Sequence, residues 1–382
     1  MGDIDILVGI PSYNNEETIG FVVEQVDKGL RKYFPKKKAL IVDSDGSSSD
    51  GTQKAFENAE TETEKHFVKY KNPVPGKGSA FKEIWEIGLE KGAKQFVVVD
   101  SDLRSIKPEW INKMVTPLEG KTDYCTPYYS RHKYDGTITN QICFPLMYGL
   151  FCHNIRQPIG GDFSFSSRLA KFWLNQDVWQ SNVAKFGIDI FMTSNAILNG
   201  FEVKQVFLGS KVHDAKDPAE NLKPMFEQVV GTLFGIVSGQ KEKWETLKEV
   251  KQVEVLAKEG FVEPQELSVN AEKMLNNFVE GRKEQEKNWQ DILSSEVFEE
   301  VQAMENPSIE SELWSKIVFD SIAAFKGNEN KVIDALIPLW LGRNYSFIQE
   351  TKEMANEEAE KRIIAQGKLF FANRKYLVEK IK

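Results

Sequence analysis

The feature that most constrains the fold is an alternation running through the first 215 residues. Short β-branched runs each end in a polar cluster and are followed by a segment of helical period. Such alternation predicts an α/β domain on a mainly parallel sheet. DILVGIPSY (5–13) reads as the first strand. Ile19, Val22, Val23, Val26 and Leu30 then fall on one helical face, with Asn14 or Asn15 placed to cap that helix. KALIVDSDG (38–46) is a second strand, Phe81, Ile84, Trp85 and Leu89 mark the next helix, and QFVVVD (95–100) is a third strand.

From about residue 218 the pattern becomes long, Glu- and Lys-rich helical segments. Leu267, Ala271, Met274, Leu275 and Phe278 repeat with helical spacing, as do Trp314, Ile317, Val318 and Ile322. The expected organisation is an α/β domain over 1–217 and a helical region over 218–382. A chain of 382 residues, 41% hydrophobic and 28% charged, is globular and too long for one small core. Its net charge of −8 argues against nucleic-acid and anionic-membrane partners. No apolar window approaches the roughly 18 residues of a spanning helix. The opening MGDIDILVGIPSYNNEE shows no leader pattern, and Ile6 stands where myristoylation would want Ser or Thr, so the cytoplasm is the expected location. Cys125, Cys143 and Cys152 lack metal or redox spacing and read as buried thiols. The apolar stripes of the helical region suit a homodimer and a packed monomer alike.

Chemistry concentrates at the predicted strand ends. In open α/β sheets ligands bind outside the carboxyl ends of the strands, and there stand PSYNNEE (11–17), DSDGSSSDGT (43–52) and DSDLRS (100–105). Asp100 and Asp102 share a face in an extended segment. Two adjacent carboxylates are reconciled by a shared proton or a divalent cation, or one caps the next turn while the other is solvated. In PGKG (75–78), Gly76 and Gly78 allow backbone to approach a ligand, and Lys77 brings a point charge for phosphate. The spacing is not that of a P-loop. His213, in GSKVHDAKD (209–217), can join the aspartates in a mixed O/N site of the kind Mg²⁺ or Mn²⁺ accepts.

Taken in order, IPSYNNEETIG, VDSDGSSSDGT, PGKG and VVVDSDL resemble the nucleotide-sugar glycosyltransferases of the GT-A fold, the last string carrying the DxD motif. RQPIGGDFSFSSRL (156–169), FGIDIFMTSNAILNGFEV (186–203) and GSKVH (209–213) narrow the resemblance to a retaining group, the mannosylglycerate and glucosyl-3-phosphoglycerate synthases, over roughly residues 4–235. LWLGRNYSF (339–347) extends it loosely into the helical region.

The resemblance implies a GT-A domain followed by helices, and it implies roles. Pro11, Tyr13 and Glu16 cradle the base and ribose of the donor, with Asp45 near the base and Lys77 and Gly78 at the nucleotide. Asp100, with Ser101 beside it, touches ribose or metal, Asp102 is the principal metal ligand, and His213 completes the site for Mg²⁺ or Mn²⁺. Gly160 and Gly161 lie under the donor sugar, and Asp162 stands where the relatives carry Glu. Inverting relatives carry an ED-type base and often QxxRW. This chain has GID at 187–189 and no QxxRW, so Asp189 is implied to position acceptor or sugar hydroxyls. Asp102, Asp189 and Lys77 form the implied catalytic set.

YYSRHKYDGTITN (128–140) matches the acceptor loop, through Arg131, Thr137 and Thr139. Thr137 occupies the place of the arginine that binds phosphate in the phosphoglycerate enzymes, which tilts the expected acceptor toward D-glycerate. The expected reaction is metal-dependent, retaining transfer of glucose or mannose from a UDP- or GDP-sugar to D-glycerate, giving an α-glycosylglycerate compatible solute. A 3-phosphoglycerate or preformed glucosylglycerate acceptor is the alternative within the class. A nucleotide-binding module without turnover is the alternative outside it.

Overall fold

A computed structural model describes residues 3–212 and 222–381. The strands are β1 (Ile6–Ser12), β2 (Ala39–Asp45), β3 (Glu64–Lys69), β4 (Gln95–Val98), β5 (Tyr124–Ser130), β6 (His153–Asn154), β7 (Phe163–Ser166), β8 (Val203–Ser210), β9 (Lys251–Gln252) and β10 (Val255–Leu256). Eight of them form one sheet in the order β10-β8-β5-β7-β4-β1-β2-β3. All its pairings are parallel except those of β7, which runs antiparallel to both β4 and β5. The sheet carries helices and is followed by a helical carboxyl-terminal region, as the resemblance to the GT-A class implies.

Parallel strands covered on both faces must be apolar almost throughout, and every residue of β1 is buried. On one face Ile6, Val8 and Ile10 pack with Val22, Val26 and Ile111, from the helices Ile19–Tyr33 and Pro108–Val115. On the other, Trp85 of the helix Lys77–Glu90 and Trp173 of the helix Ser167–Leu174 meet Phe165, an aromatic cluster with ring centroids 5.1–5.6 Å apart.

The register determines which residues gather beyond the strand ends. Ser12 pairs with Asp45 across β1 and β2, and Gly9 pairs with Val98 across β1 and β4. Because Val98 pairs with Phe163 in the antiparallel ladder, Asp162 at the start of β7 arrives at the end of β4. The expected asparagine cap is not formed. The helix Ile19–Tyr33 starts after Thr18 without a side-chain cap. Asn14 instead accepts from the Ser49 amide at 2.9 Å, and Asn15 accepts from the Tyr13 amide and the Ser101 hydroxyl, so both asparagines tie loops together.

The chain forms two compact units, each drawn from three stretches. The sheet unit comprises Met1–Ser130, Gln157–Asp214 and Val253–Pro264, and the helical unit Arg131–Arg156, Ala215–Gln252 and Gln265–Lys382. Within the helical unit, Phe144 and Tyr148 pack against Phe347, Ala359 and Ile363, from the helices Glu329–Thr351 and Asn356–Ala372. The short parallel pair β6–β9 also lies there. All three cysteines are buried, and none forms a disulfide. Among the described residues, no helix is long and apolar enough to cross a membrane.

Candidate active site

Within the sheet unit, the ends of β1, β2, β4 and β8 bring the predicted donor-site residues together. Asp100, just beyond β4, is held from both sides. Its Oδ1 accepts from Lys77 Nζ at 2.8 Å and its Oδ2 from Lys211 Nζ at 2.8 Å. Lys211 also donates to Asp162 Oδ2 at 3.0 Å and to the Gly160 carbonyl at 2.9 Å. Asp162 is wholly buried; its Oδ1 accepts from the Asp100 amide and its Oδ2 from the Tyr129 hydroxyl at 2.6 Å. Burial opposes ionisation of Asp100, yet the Lys211 and Lys77 ammoniums outweigh it and hold the carboxyl far below its usual range. Burial likewise opposes the charge on Lys77, but Asp100 and Asp189 outweigh it and hold the ammonium firmly protonated.

Asp189 opens the helix Ile188–Leu198. Its Oδ2 lies 3.4 Å from Lys77 Nζ, and its buried Oδ1 has no hydrogen-bond partner. Burial pushes its pKa up to about 6, against the pull of Lys77. A carboxylate oxygen buried without a donor is costly and suits a hydroxyl arriving from a ligand.

Gly161 has φ +92°, and a Cβ there would strike Asp100 Oδ2, so only glycine lets the loop pass beneath this carboxylate. Gly160 packs on Pro127. Gly78 meets protein: its amide donates to the Lys185 carbonyl, and a Cβ would collide with the Val183 carbonyl. The close approach expected there of a ligand is made by the segment 183–185, which fixes where Lys77 enters its helix. Ser101 donates to Asn15 Oδ1 at 2.8 Å, joining the DxD turn to the loop after β1. Asp102 is half-buried, and it makes a further interaction of its own.

At the end of β2, Asp45 accepts from the Ser48 amide at 2.9 Å and from the Ser48 hydroxyl. Ser12 Oγ lies 2.6 Å from Asp43 Oδ1 and 3.3 Å from Asp45 Oδ2, although it has one hydrogen to give. Burial pushes the Asp43 pKa up to about 8, reinforced by Asp45, so Asp43 is largely a neutral acid at pH 7. Pro11 lies within β1; Tyr13 is 65% exposed, leaving an open aromatic face; Glu16 Oε2 accepts from the Gly51 amide at 3.1 Å.

His213 lies outside the described residues. Among those described, no group of three His, Cys, Asp or Glu is placed to hold a metal ion. Lys211 and Tyr129 are the residues that sequence reasoning did not assign, and Asp162, noted there as an acid standing for Glu, is the partner that joins them. Lys211 lies inside the motif GSKVH, and only the antiparallel register of β7 reveals that it faces Asp162.

The acceptor-loop residues fall in the helical unit. Arg131 and Asp135 form an ion pair at 3.6 Å, and Lys133 Nζ donates to the carbonyls of Thr351, Lys352 and Met354 at 2.7–3.1 Å. Thr137 and Thr139 are buried, and Thr137 Oγ1 has no hydrogen-bond partner. A cavity of about 10 Å³ is lined by Lys133, Tyr134, Thr137, Asn140 and Phe347, room for one water.

A family model described as mannosylglycerate synthase, GT domain, matches residues 31–233. The glucosyl-3-phosphoglycerate synthase of Mycolicibacterium smegmatis is 24% identical over 242 residues, covering 60% of this chain and 76% of the relative. The glucosyl-3-phosphoglycerate synthase of Mycobacterium tuberculosis, solved with Mn²⁺, UDP-glucose and phosphoglyceric acid, is 22% identical with a TM-score of 0.48, covering 62% of this chain and 80% of that one. The same enzyme solved with Mg²⁺ and UDP gives 22% identity and a TM-score of 0.47, covering 61% and 79%. With more than half of its residues inside the matched span, the chain belongs to the mannosylglycerate synthase GT-domain family.

Proposed function

We propose that the protein is a metal-dependent, retaining glycosyltransferase that moves a hexose from a nucleoside-diphosphate sugar to a glycerate-type acceptor. The observation that supports this best is the charge constellation at the end of β4, where Lys77 and Lys211 meet Asp100, Asp162 and Asp189, with Asp102 further along the same turn. Family membership supports the reaction class.

The donor set fits a hard divalent ion that enters with a diphosphate. Such ions need one or two carboxylates, phosphate oxygens supplying much of the remaining shell. Asp102 is the carboxylate we assign to it, with His213 as the second protein ligand. Asp100, already held by two lysines, we assign to ribose. When bound, the ion stabilises the negative charge gathering on the departing diphosphate.

Lys77 and Lys211 supply fixed positive charge on the same side. Their partners hold them in place before substrate arrives, so little reorganisation is needed as charge develops. Asp189 offers its unpartnered oxygen to a hydroxyl of the sugar or acceptor. Pairing with Lys77 keeps that carboxylate beside a cation, which suits positioning more than proton abstraction. Asp100, which shares Lys77 with Asp189, is itself held by two lysines and so suits binding more than nucleophilic attack, and we assign departure and attack to one face of the sugar. Tyr13 presents an open ring to the base, and Asp45, pinned by Ser48, can accept from the base edge.

We place 3-phosphoglycerate first among acceptors because the curated relative is a synthase of that class. D-glycerate is the second reading, supported by a specific observation: Lys133 spends its hydrogens on three carbonyls, which leaves it poorly placed to replace the phosphate-binding arginine whose place Thr137 takes.

The test is nucleotide release with Mg²⁺ or Mn²⁺, crossing UDP- and GDP-linked glucose and mannose with 3-phosphoglycerate and D-glycerate. Acceptor-dependent release is expected, and Asp102→Ala should cut it by about 100-fold or more while leaving the fold intact. Donor binding without release for any acceptor would leave a nucleotide-binding module instead. A wild-type rate for Asp102→Ala would remove the metal assignment.

A further inference from the structure

The acceptor loop ends in a π-helical turn, Thr139–Cys143, in which the Phe144 amide donates to the Thr139 carbonyl five residues back. Such turns release backbone carbonyls from the regular helical ladder. Here the sequence makes the release permanent. Pro145 comes next, and its nitrogen carries no hydrogen. The Asn140 carbonyl would look to residue 145 in the π register, and the Gln141 carbonyl would look to it in the α register. Neither finds a donor there.

Both carbonyls are satisfied by side chains of the carboxyl-terminal helices. Gln366 Nε2, on the helix Asn356–Ala372, donates to the Asn140 carbonyl at 3.0 Å and to Gln141 Oε1 at 3.0 Å. Trp314 Nε1, on the helix Ser311–Phe325, donates to the Gln141 carbonyl at 2.6 Å. The orientation of the Gln366 amide is itself determined. Its Oε1 faces Arg343 Nε at 3.1 Å and the Ser311 hydroxyl at 3.2 Å, and a guanidinium can only donate, so the Nε2 must point at the turn. Gln366 is 2% exposed and Trp314 fully buried, so water cannot substitute for either.

We infer that Gln366 and Trp314 are positioning residues for the acceptor: they hold the turn that carries Thr139, which gives the carboxyl-terminal helices a part in acceptor recognition. The inference rests on the acceptor-loop reading. It goes beyond that reading by assigning work to residues more than 170 positions downstream.

Gln366→Glu separates this role from a purely structural one. The glutamate keeps an oxygen toward Arg343 and Ser311, but it turns an acceptor toward the Asn140 carbonyl and Gln141 Oε1. Trp314→Phe keeps an aromatic ring, though a smaller one, and removes the donor, and it carries the test if Gln366→Glu does not fold. 3-Phosphoglycerate and D-glycerate would each be titrated calorimetrically into the full chain with UDP and Mg²⁺ present, beside Thr139→Ala.

The expected result is an acceptor Kd weakened about tenfold in both variants, the cost of a buried hydrogen bond lost, with the UDP Kd unchanged. If Thr139→Ala weakens the acceptor and the two variants bind it as wild type does, the inference falls and the acceptor-loop reading stands. If Thr139→Ala binds as wild type, or wild type binds neither acceptor, that reading falls and takes the inference with it. Equal weakening of UDP and acceptor would mark a general loss of structure and overturn the positioning role.

Discussion

Asp162 has no exposure to solvent, and its carboxylate is tolerable only because Lys211, Tyr129 and the Asp100 amide surround it. Lys211 is equally enclosed, with a side chain 3% exposed between two aspartates. Removing one member of such a pair leaves the other buried and unpaired, a loss of about 3–5 kcal/mol. Lys211→Met should therefore lower the melting temperature of the sheet unit and weaken UDP binding together; a variant that melts and binds like wild type would remove Lys211 from the site. At this scale the sequence is informative where polar residues follow apolar runs, as at Asp45, Asp100 and Asp102. It is silent on Lys211, because a lysine next to a strand end reads as a solvated residue until a partner is known. That partner arrives from a loop in which the sequence marks only the glycines and a shortened acid.

The strand β7 decides much of the site's geometry. Its antiparallel register delivers Asp162 to the end of β4, and Gly161 precedes it with a backbone that an L side chain adopts poorly. Gly161→Ala would combine left-handed strain of about 1–3 kcal/mol with a collision against Asp100. The expected outcome is a donor KM raised about tenfold or more with little change in acceptor KM, read from initial rates; an unchanged donor KM would show that the loop lies away from the sugar. Strands β1, β2 and β4 and the helix from Ile19 are legible because their apolar periods are long and uninterrupted. β7 is four residues of alternating Phe and Ser, and β10 is two residues. Segments that short carry too few apolar positions to display a period, and pairing alone defines them. The π turn is hidden for a different reason. Its signal is one proline, which by itself equally announces the start of the next helix.

For the molecule as a whole, the buried acid Asp43 links stability to pH. Its carboxyl has a pKa of about 8 in the folded protein against about 4 when unfolded. Between those values the folded state holds a proton that the unfolded state has released. Its contribution is therefore full below about pH 4 and is lost as pH rises through about 8. Asp43→Asn keeps the shape without the charge, so the melting temperature of the sheet unit should depend less on pH between 5 and 9 than in wild type. Parallel curves for the two proteins would mean that Asp43 ionises normally.

The interleaving of the two units along the chain also bears on biosynthesis. β8 pairs with β10, and the Gln205 amide on β8 donates to the Glu254 carbonyl. As the chain emerges from the ribosome, the sheet has its first four parallel strands by residue 98, but the Gln205–Val206 stretch of β8 waits for residues 253–256 before its outer side is paired. Until then a row of backbone donors and acceptors stands open to any neighbouring strand. An amino-terminal fragment ending at residue 217 would keep that edge open permanently. The short return of the chain at β10 works as a clasp, closing the sheet unit only once translation has moved well past it.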